Sequence, residues 1–233
     1  MKHERAFREI NKANSELAHR LFLSVAVASK PLLVKKLAEF LALDFSAGPI
    51  PRFREEWHLE DPVEAVLSTC STSLSLVDVD GLSVMQFSRF SVKEYLTSSC
   101  LAGNRDNISL RYHVSMTNAQ IIMMRACLGI LLHLGGNENI TKSNLAKFPL
   151  AKFAAKYWVE HARFKGVSQN AEGGMKQLFD PRKPHLALWL WIYNPTIRFL
   201  KQTESIFKQP VPPRLTPCHY ATFCGLHTAG TIG

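Results

Sequence analysis

The chain has 233 residues, of which 46% are hydrophobic and 20% are charged, so it can bury the core of one large or two small domains and is not disordered throughout. Its formal net charge of +9 suggests an acidic partner or a nucleic acid. Residues 141–201 hold eleven basic and three acidic side chains, however. A local excess of this kind, without a nucleic-acid motif, favours a solvated helix face.

The cysteines and the apolar stretches indicate a cytoplasmic protein. There are five cysteines, an odd number, and no two are spaced as CxxC, which is typical of reduced thiols. The charged N-terminus lacks the apolar core of a secretory signal. The longest apolar stretch, residues 121–134, is interrupted by Arg125 and His133 and is shorter than the roughly 18–20 residues of a membrane span. We therefore expect no membrane span.

The first 60 residues predict two helices and a loop. Apolar residues recur at helical spacing over 15–29 and again over 33–41, and Pro31 separates the two runs. Residues 46–60 are rich in turn-forming residues and are predicted to be a loop.

Strong local signals follow between residues 61 and 97. Asp61 is a favourable N-cap and Pro62 suits the first position of a helix. The dipeptide Asp80-Gly81 lies between two short apolar runs, which predicts a β-hairpin. Ser91 and Glu94 have the spacing of a capping box and predict a helix after the hairpin.

The second half of the chain predicts further helices. Thr117 and Gln120 suggest a capping box before an almost wholly apolar helix, and residues 148–164 have the pattern of another helix. Gly173-Gly174 predicts a break, and residues 185–193 an aromatic helix. We expect a cluster of aromatic side chains to lie in the core: Trp158, Trp189, Trp191, Tyr193 and Phe199.

Three helices followed by a two-stranded wing are the layout of a winged-helix domain, whose hairpin must pack on the helices to be stable. Residues 21–101 resemble the winged-helix domain that follows the NTPase core in fungal NACHT receptor-like (STAND NTPase, NLR-like) proteins, a type named after a GPI inositol-deacylase. Arg89 replaces the His of the family motif. The motif otherwise matches at Phe87, Ser91, Glu94, Tyr95 and Leu96.

The resemblance continues into the helical part of the same proteins, to about residue 195. After a polar, Pro-rich linker, the sequence TPCHYA resembles the T-P-L-H-x-A opening of an ankyrin repeat. Cys218 stands where that motif has Leu. The matching residues are Thr216, Pro217, His219, Ala221 and, further on, Gly225. Since one partial repeat cannot bury its own face, we expect the last 18 residues to be frayed or the chain to be truncated.

The resemblance implies a mainly α fold with a small β-hairpin, and a regulatory or scaffold module from the middle of a NACHT–ankyrin protein. Its partners would be a NACHT NTPase domain, in the same chain or another, and further ankyrin repeats, in signalling or non-self recognition. The implied divisions are an N-terminal extension, a winged-helix domain, a helical domain, a linker and an incomplete ankyrin repeat, at 1–14, 15–104, 108–200, 201–215 and 216–233.

No motif for catalysis or cofactor binding accompanies this pattern. The chain has no G-x-x-x-x-G-K-[ST] phosphate loop and no G-x-S-x-G nucleophile elbow, so we expect no enzymatic activity and no catalytic or cofactor site. The histidines lack metal-ligand spacing, so we expect no metal site. His19 and Arg89 are the nearest candidates for the phosphate-contacting residue of related receptors, and a structural role is favoured for both.

A basic helix face is the main candidate contact surface. Lys152, Lys156 and Arg163 lie near one side of the predicted helix over 148–164, either as a solvated face or as a contact for an acidic protein surface. The alternative function is a DNA-binding winged-helix regulator. The helix after Asp61 has no Lys or Arg to reach base edges, so nucleic acid is the less favoured partner.

Overall fold

A computed structural model describes Phe7, Ile10 and residues 12–28, 30–58, 60–70, 73–98, 107–137, 140–195 and 209–226. As predicted, this part of the chain is mainly helical with small antiparallel sheets. It divides into two compact units: unit 1 lies within residues 1–41 and 57–122, and unit 2 within 42–56 and 123–233. The predicted domain boundaries stay predictions.

The helices and strands follow one another along the chain with short connections. In order they are α1 (Ser15–Val27), β1 (Leu32–Leu33), α2 (Val34–Leu41), β2 (Leu43–Asp44), β3 (Arg52–Phe53), α3 (Pro62–Cys70), β4 (Leu74–Val79), β5 (Leu82–Phe87), α4 (Phe90–Thr97), α5 (Asn107–Tyr112), α6 (Met116–Gly135), α7 (Lys142–Leu145), α8 (Ala151–Ala162), α9 (Glu172–Leu178), α10 (His185–Ile192) and α11 (Pro217–Phe223).

Unit 1 contains a three-stranded antiparallel sheet in the order β1-β5-β4. The predicted hairpin is confirmed: Leu74 pairs with Phe87 at one end and Val79 with Leu82 at the other. Asp80 and Gly81 have φ angles of 53° and 75°, the left-handed pair that a two-residue hairpin turn requires. The short strand β1 was not predicted, because two residues carry no periodic signal.

The start of α3 is also confirmed. The Asp61 carboxylate accepts hydrogen bonds from the backbone N–H groups of Val63 at 2.8 Å and Glu64 at 3.1 Å. It thereby satisfies two donors that have no partner within the helix. The helix packs its buried residues, including Val66, into a core shared with α1 and α2.

Two predicted capping boxes are wrong. The helix α4 begins at Phe90 with Arg89 at the N-cap position, and no side chain caps it. Ser91 is therefore already inside the helix, since the N–H of Val92 is bonded to the carbonyl of Arg89. Likewise α6 begins at Met116, so Thr117 lies inside it.

Unit 2 begins with a strand pair, and its second strand, β3, lies within the predicted loop. Leu43 pairs with Phe53 and Asp44 with Arg52 in the short antiparallel ladder of β2 and β3. The Asp44 carboxylate accepts from the Ser46 hydroxyl and backbone N–H and from the Arg54 guanidinium, which together lower its pKa. Each strand has two residues, which is too short for an alternating pattern to predict a strand.

The segment between β2 and β3 lies against α6. Arg125 donates to the Gly48 carbonyl at 2.7 Å and to the Pro49 carbonyl. A Cβ atom on Gly129, one turn further along α6, would lie 2.6 Å from the Pro51 carbonyl oxygen. The glycine therefore permits a close approach between helix and segment.

The helix α6 is longer than its uninterrupted apolar stretch. Within the described residues it is the helix that is long and apolar enough, at 20 residues, to span a membrane by length and composition. However, 61% of its apolar window is buried in the protein, and buried core helices pass the same test. Length and composition alone are thus weak evidence for a span.

The aromatic core of unit 2 is confirmed for the described residues. Trp158 and Trp189 are fully buried in T-shaped contact, with ring centroids 5.3 Å apart, and the Trp189 indole donates to the Ala155 carbonyl at 2.8 Å. Trp191 is also buried, Tyr193 is half-buried, and Phe199 lies outside the described residues.

The predicted break at Gly173-Gly174 is wrong, because both residues lie inside α9. A Cβ atom on Gly174 would meet the methyl carbons of Ile50 and Leu128 at 2.7 and 2.8 Å. Gly174 is therefore required by packing and not by a chain break.

Candidate functional site

The three predicted contact residues form one stripe on the surface of α8, which we call the basic face. Lys152, Lys156 and Arg163 are exposed, and at 3.6 residues per turn they fall within about 40° of arc. The opposite side of the helix is buried, with Trp158 at its centre. The three side chains therefore share one exposed side of the helix, and their role as a contact surface stays a prediction.

The helix α8 contributes little negative charge of its own to offset the basic face. Glu160 is the single acidic residue of α8. The Lys156 ammonium lies 5.3 Å from the centroid of the Tyr157 ring, a cation–π contact that holds the side chain close to the helix.

The C-terminal segment, residues 209–226 of the described chain, is packed. Tyr220, Ala221 and Leu226 are 4%, 2% and 3% exposed. The expectation that the end of the chain is frayed is therefore wrong for residues 216–226, because four of their side chains are buried, although Phe223 is 51% exposed. Residues 227–233 lie outside the described residues.

The local geometry of this segment follows its motif. The Thr216 side chain caps α11 by accepting from the His219 N–H at 3.3 Å, and Pro217 occupies the first turn. The helix is followed by Gly225, whose φ of +65° is the left-handed conformation that favours glycine after a helix.

The structure brings Arg163 of the basic face to Gly225 of the C-terminal segment. A Cβ atom on Gly225 would lie 3.7 Å from Arg163 Nε and 3.8 Å from its Cζ. Burial raises the pKa of the neighbouring Cys224 thiol to about 11, and the Arg163 charge acts in the opposite direction. Two groups that the sequence predicted separately are thus in contact.

The family motif at residues 87–96 divides between the core and the surface of unit 1. Leu96 is fully buried, the Tyr95 ring stacks on Phe7, and the Phe87 ring lies 6.2 Å from that of Phe22. Ser91 and Glu94 are exposed. The apolar motif residues therefore hold α4 and the hairpin against α1.

The structure shows what surrounds His19 and Arg89, the two candidate phosphate-contacting residues. His19 Nε2 lies 3.0 Å from the His113 carbonyl oxygen, and burial lowers its pKa, so the ring is neutral at neutral pH. Arg89 is exposed at the N-cap of α4. Among the described residues, no three His, Cys, Asp or Glu side chains come together as a metal site would need.

The sequence did not reveal a pocket beside the basic face. A cavity of about 280 Å³ is lined by Lys142 and Lys152 together with apolar side chains that include Phe148 and Trp191. Its walls come from α7, α8 and α10, and no linear motif joins residues so far apart. Helical spacing predicts that the basic residues of α8 are aligned. It does not predict that Trp191 of α10 lies near them, which depends on the fold.

Comparison with known proteins gives one distant relative. No protein-family profile and no solved structure matches the chain. The chain is 24% identical over 212 residues to the azaphilone pigments biosynthesis cluster protein L of Monascus ruber. The match covers 90% of this chain but 44% of that protein, so the chain spans less than half the length of its relative.

This match contradicts one prediction and leaves others open. The prediction that the chain has no enzymatic role is wrong, because the relative is a protein of a biosynthesis cluster. The missing P-loop and G-x-S-x-G motifs exclude only the chemistry those motifs perform. The winged-helix, NACHT and ankyrin assignments stay predictions.

Proposed function

We propose that the chain is a regulatory and scaffold module of a larger NACHT–ankyrin-like fungal protein that serves a biosynthetic pathway for a pigment-like metabolite. The module makes its contacts through the basic face and the C-terminal segment. The observation that carries the proposal is the packed C-terminal segment, whose capped helix and left-handed Gly225 follow the opening of an ankyrin repeat.

The arrangement of unit 1 supports the winged-helix part of the proposal. Three helices with a short strand between the first two, followed by a hairpin, and a sheet in the order β1-β5-β4, are what a winged helix requires. The buried Leu96 and the ring contacts of the half-buried Phe87 and Tyr95 support the same assignment.

The relative supports the biosynthetic part. Its name assigns it to an azaphilone pigment biosynthesis cluster, and the match runs through most of this chain. Because the relative is more than twice as long as the matched region, the activity of the whole protein would involve further segments. The partner would be an NTPase domain, in the same chain or a separate one.

Lysine crosslinking in cells tests the contact surface. We expect an amine-reactive crosslinker to join Lys152 or Lys156 to an NTPase domain. Changing Lys152, Lys156 and Arg163 to Glu should abolish co-purification with that domain. The matched control changes three exposed unit 1 lysines to Glu with the same change of charge: Lys12, Lys30 and Lys35. Equal loss of co-purification in both variants would refute a specific basic face.

Metabolite profiling tests the pathway. Deleting the gene in its source organism should remove or reduce coloured metabolites measured by chromatography and mass spectrometry, and the intact gene should restore them. An unchanged profile under pigment-producing conditions would refute the biosynthetic assignment while leaving the contact surface to the crosslinking test.

The residues of unit 1 give little support to the alternative function, that of a DNA-binding regulator. The helix α3, which a winged helix would place in the major groove, carries no Lys or Arg, and its one charged residue is the exposed Glu64. A carboxylate there repels phosphates. We expect no mobility shift with duplex DNA at low salt, and a salt-sensitive shift would favour the alternative instead.

A further inference from the structure

The hairpin of β4 and β5 leaves one edge of the unit 1 sheet open. The strand order is β1-β5-β4, so within the described residues β4 (Leu74–Val79) pairs with β5 alone. Leu76, Val79 and Leu82 are 38%, 48% and 54% exposed. The strand holds neither Lys nor Pro, and its pairing has no bulge; these are devices that usually keep an edge strand from pairing. Its one charged residue, Asp78, repels acidic partners only.

The backbone groups of Leu76 and Asp78 point away from β5. Opposite residues of an antiparallel pair alternate between pairs that exchange two hydrogen bonds and pairs that exchange none. The two-residue turn at Asp80-Gly81 makes Val79 and Leu82 a bonded pair. Leu76 and Asp78 therefore belong to pairs that are not bonded, and their N–H and C=O groups are directed to the open edge. An added strand would bond them there.

The sequence around this edge is acidic, although the whole chain is basic. Residues 59–88, which include α3, β4 and β5, hold five acidic side chains and no Lys, Arg or His, whereas the whole chain has a net charge of +9. All five are exposed: Glu60, Asp61, Glu64, Asp78 and Asp80. Lys30 and Lys35 lie on either side of β1 in the sequence, and β1 is two strand spacings, roughly 10 Å, from β4. The charge at the open edge favours a partner segment that carries Lys or Arg.

The two faces of β4 differ in polarity. Side chains alternate along a strand, so Leu76 and Asp78 project from one face and Val77 and Val79 from the other. A segment with alternating basic and apolar residues would place its cations on the face of Asp78, with their apolar stems over Leu76. Its apolar side chains would then lie beside Val77 and Val79. Cross-strand pairs of opposite charge and of apolar side chains are both stabilising.

We propose that β4 binds an extended segment of a protein partner in which Lys or Arg alternates with apolar residues, and that this segment adds a fourth, antiparallel strand to the sheet. Main-chain hydrogen bonds to Leu76 and Asp78 hold the segment, and the side chains of β4 select its pattern. Antiparallel pairing is slightly more stable per residue than parallel pairing. The site lies in unit 1, and the proposal is independent of the contacts proposed for the basic face and the C-terminal segment.

The probe is the acetylated and amidated peptide Thr-Val-Lys-Val-Lys-Val-Thr, and its counterpart has Glu in place of Lys. Binding to the full chain is measured by fluorescence anisotropy of the labelled peptides. We expect the Lys peptide to bind at least about tenfold more tightly than the Glu peptide, since opposite charges attract across strands and like charges repel. Amide hydrogen exchange at Leu76 and Asp78 should slow when the Lys peptide binds.

Two methylated peptides test the added strand. The Lys residues of the peptide lie opposite Leu76 and Asp78, so their amides donate to β4, whereas the Val amides point outward. N-methylation of the Lys amides should therefore reduce the affinity at least about tenfold by removing these hydrogen bonds. N-methylation of the Val amides is the matched control and should change the affinity little.

Single variants of the chain assign the charge. Asp78 Oδ1 accepts from the Gly81 N–H at 3.0 Å, and Asp78→Asn keeps that oxygen while it removes the charge. It should weaken binding of the Lys peptide about threefold. Glu94→Gln is the matched control, since Glu94 is exposed on α4 of the same unit; it should change the affinity little. Thermal melting of both variants checks that they are folded.

Four results would overturn the proposal. They are no binding of the Lys peptide at millimolar concentration, equal affinity for the Lys and Glu peptides, equal loss on methylation of the Lys and Val amides, and an effect of Glu94→Gln as large as that of Asp78→Asn. A dimer of the chain whose protected amides map to β4 would assign the edge to a second copy and overturn the proposal as well. The methylated peptides decide the matter even where a variant fails to fold.

Discussion

Replacing Gly129 by Ala tests whether α6 lies as close to the segment between β2 and β3 as the structure shows. The added Cβ would stand 2.6 Å from the Pro51 carbonyl oxygen and 3.1 Å from Pro51 Cγ. The segment cannot easily move away, because Arg125 holds the carbonyls of Gly48 and Pro49. The helix or the segment must therefore shift.

The magnitude follows from two opposed effects. Overpacking of a well-filled interior costs about 1–3 kcal/mol. Alanine inside a helix is favoured over glycine by about 1 kcal/mol, which offsets part of that cost. We expect Gly129→Ala to lower the free energy of unfolding by up to about 2 kcal/mol. For a chain of this length, that change corresponds to a fall in Tm of up to about 8 °C.

The control is Gly173→Ala in α9. This residue is exposed, and a Cβ there meets nothing within 4 Å, so the helix preference acts alone and should raise stability by about 0.5–1 kcal/mol. Both variants are compared by thermal and urea unfolding followed by circular dichroism. If Gly129→Ala were as stabilising as Gly173→Ala, the close approach between α6 and Pro51 would be refuted.

Three further variants follow from named contacts. Asp61→Ala should cost about 1 kcal/mol by removing the cap of α3, and Asp61→Asn should keep most of that stability in urea unfolding; equal losses would refute capping. Deleting residues 209–233 should lower Tm, because Tyr220, Ala221 and Leu226 are buried; an unchanged Tm would mean that the C-terminal segment is not packed. Burial lowers the pKa of His161 to about 4 from 6.5; the unfolded state therefore binds the proton first, and stability should fall by up to about 3 kcal/mol as pH drops from 6.5 to 4. His161→Gln should flatten that pH dependence, and an equally steep profile would refute a buried neutral ring.

Local chemistry explains which elements the sequence predicts. The cap at Asp61 and the turn at Asp80-Gly81 act through neighbouring backbone groups, and both appear where predicted. The capping box at Ser91 fails because two motif residues at the right spacing do not fix where the helix begins. Arg89 takes the N-cap position instead.

Tertiary contacts explain what the sequence does not reveal. The pair Gly173-Gly174 predicts a helix break. In the structure, however, the absence of a side chain on Gly174 lets α9 approach Ile50 and Leu128. The basic face is predictable because helical spacing alone aligns its residues. The contact of Arg163 with Gly225 and the approach of Trp191 to Lys152 depend on how distant helices pack, and no local pattern encodes either one.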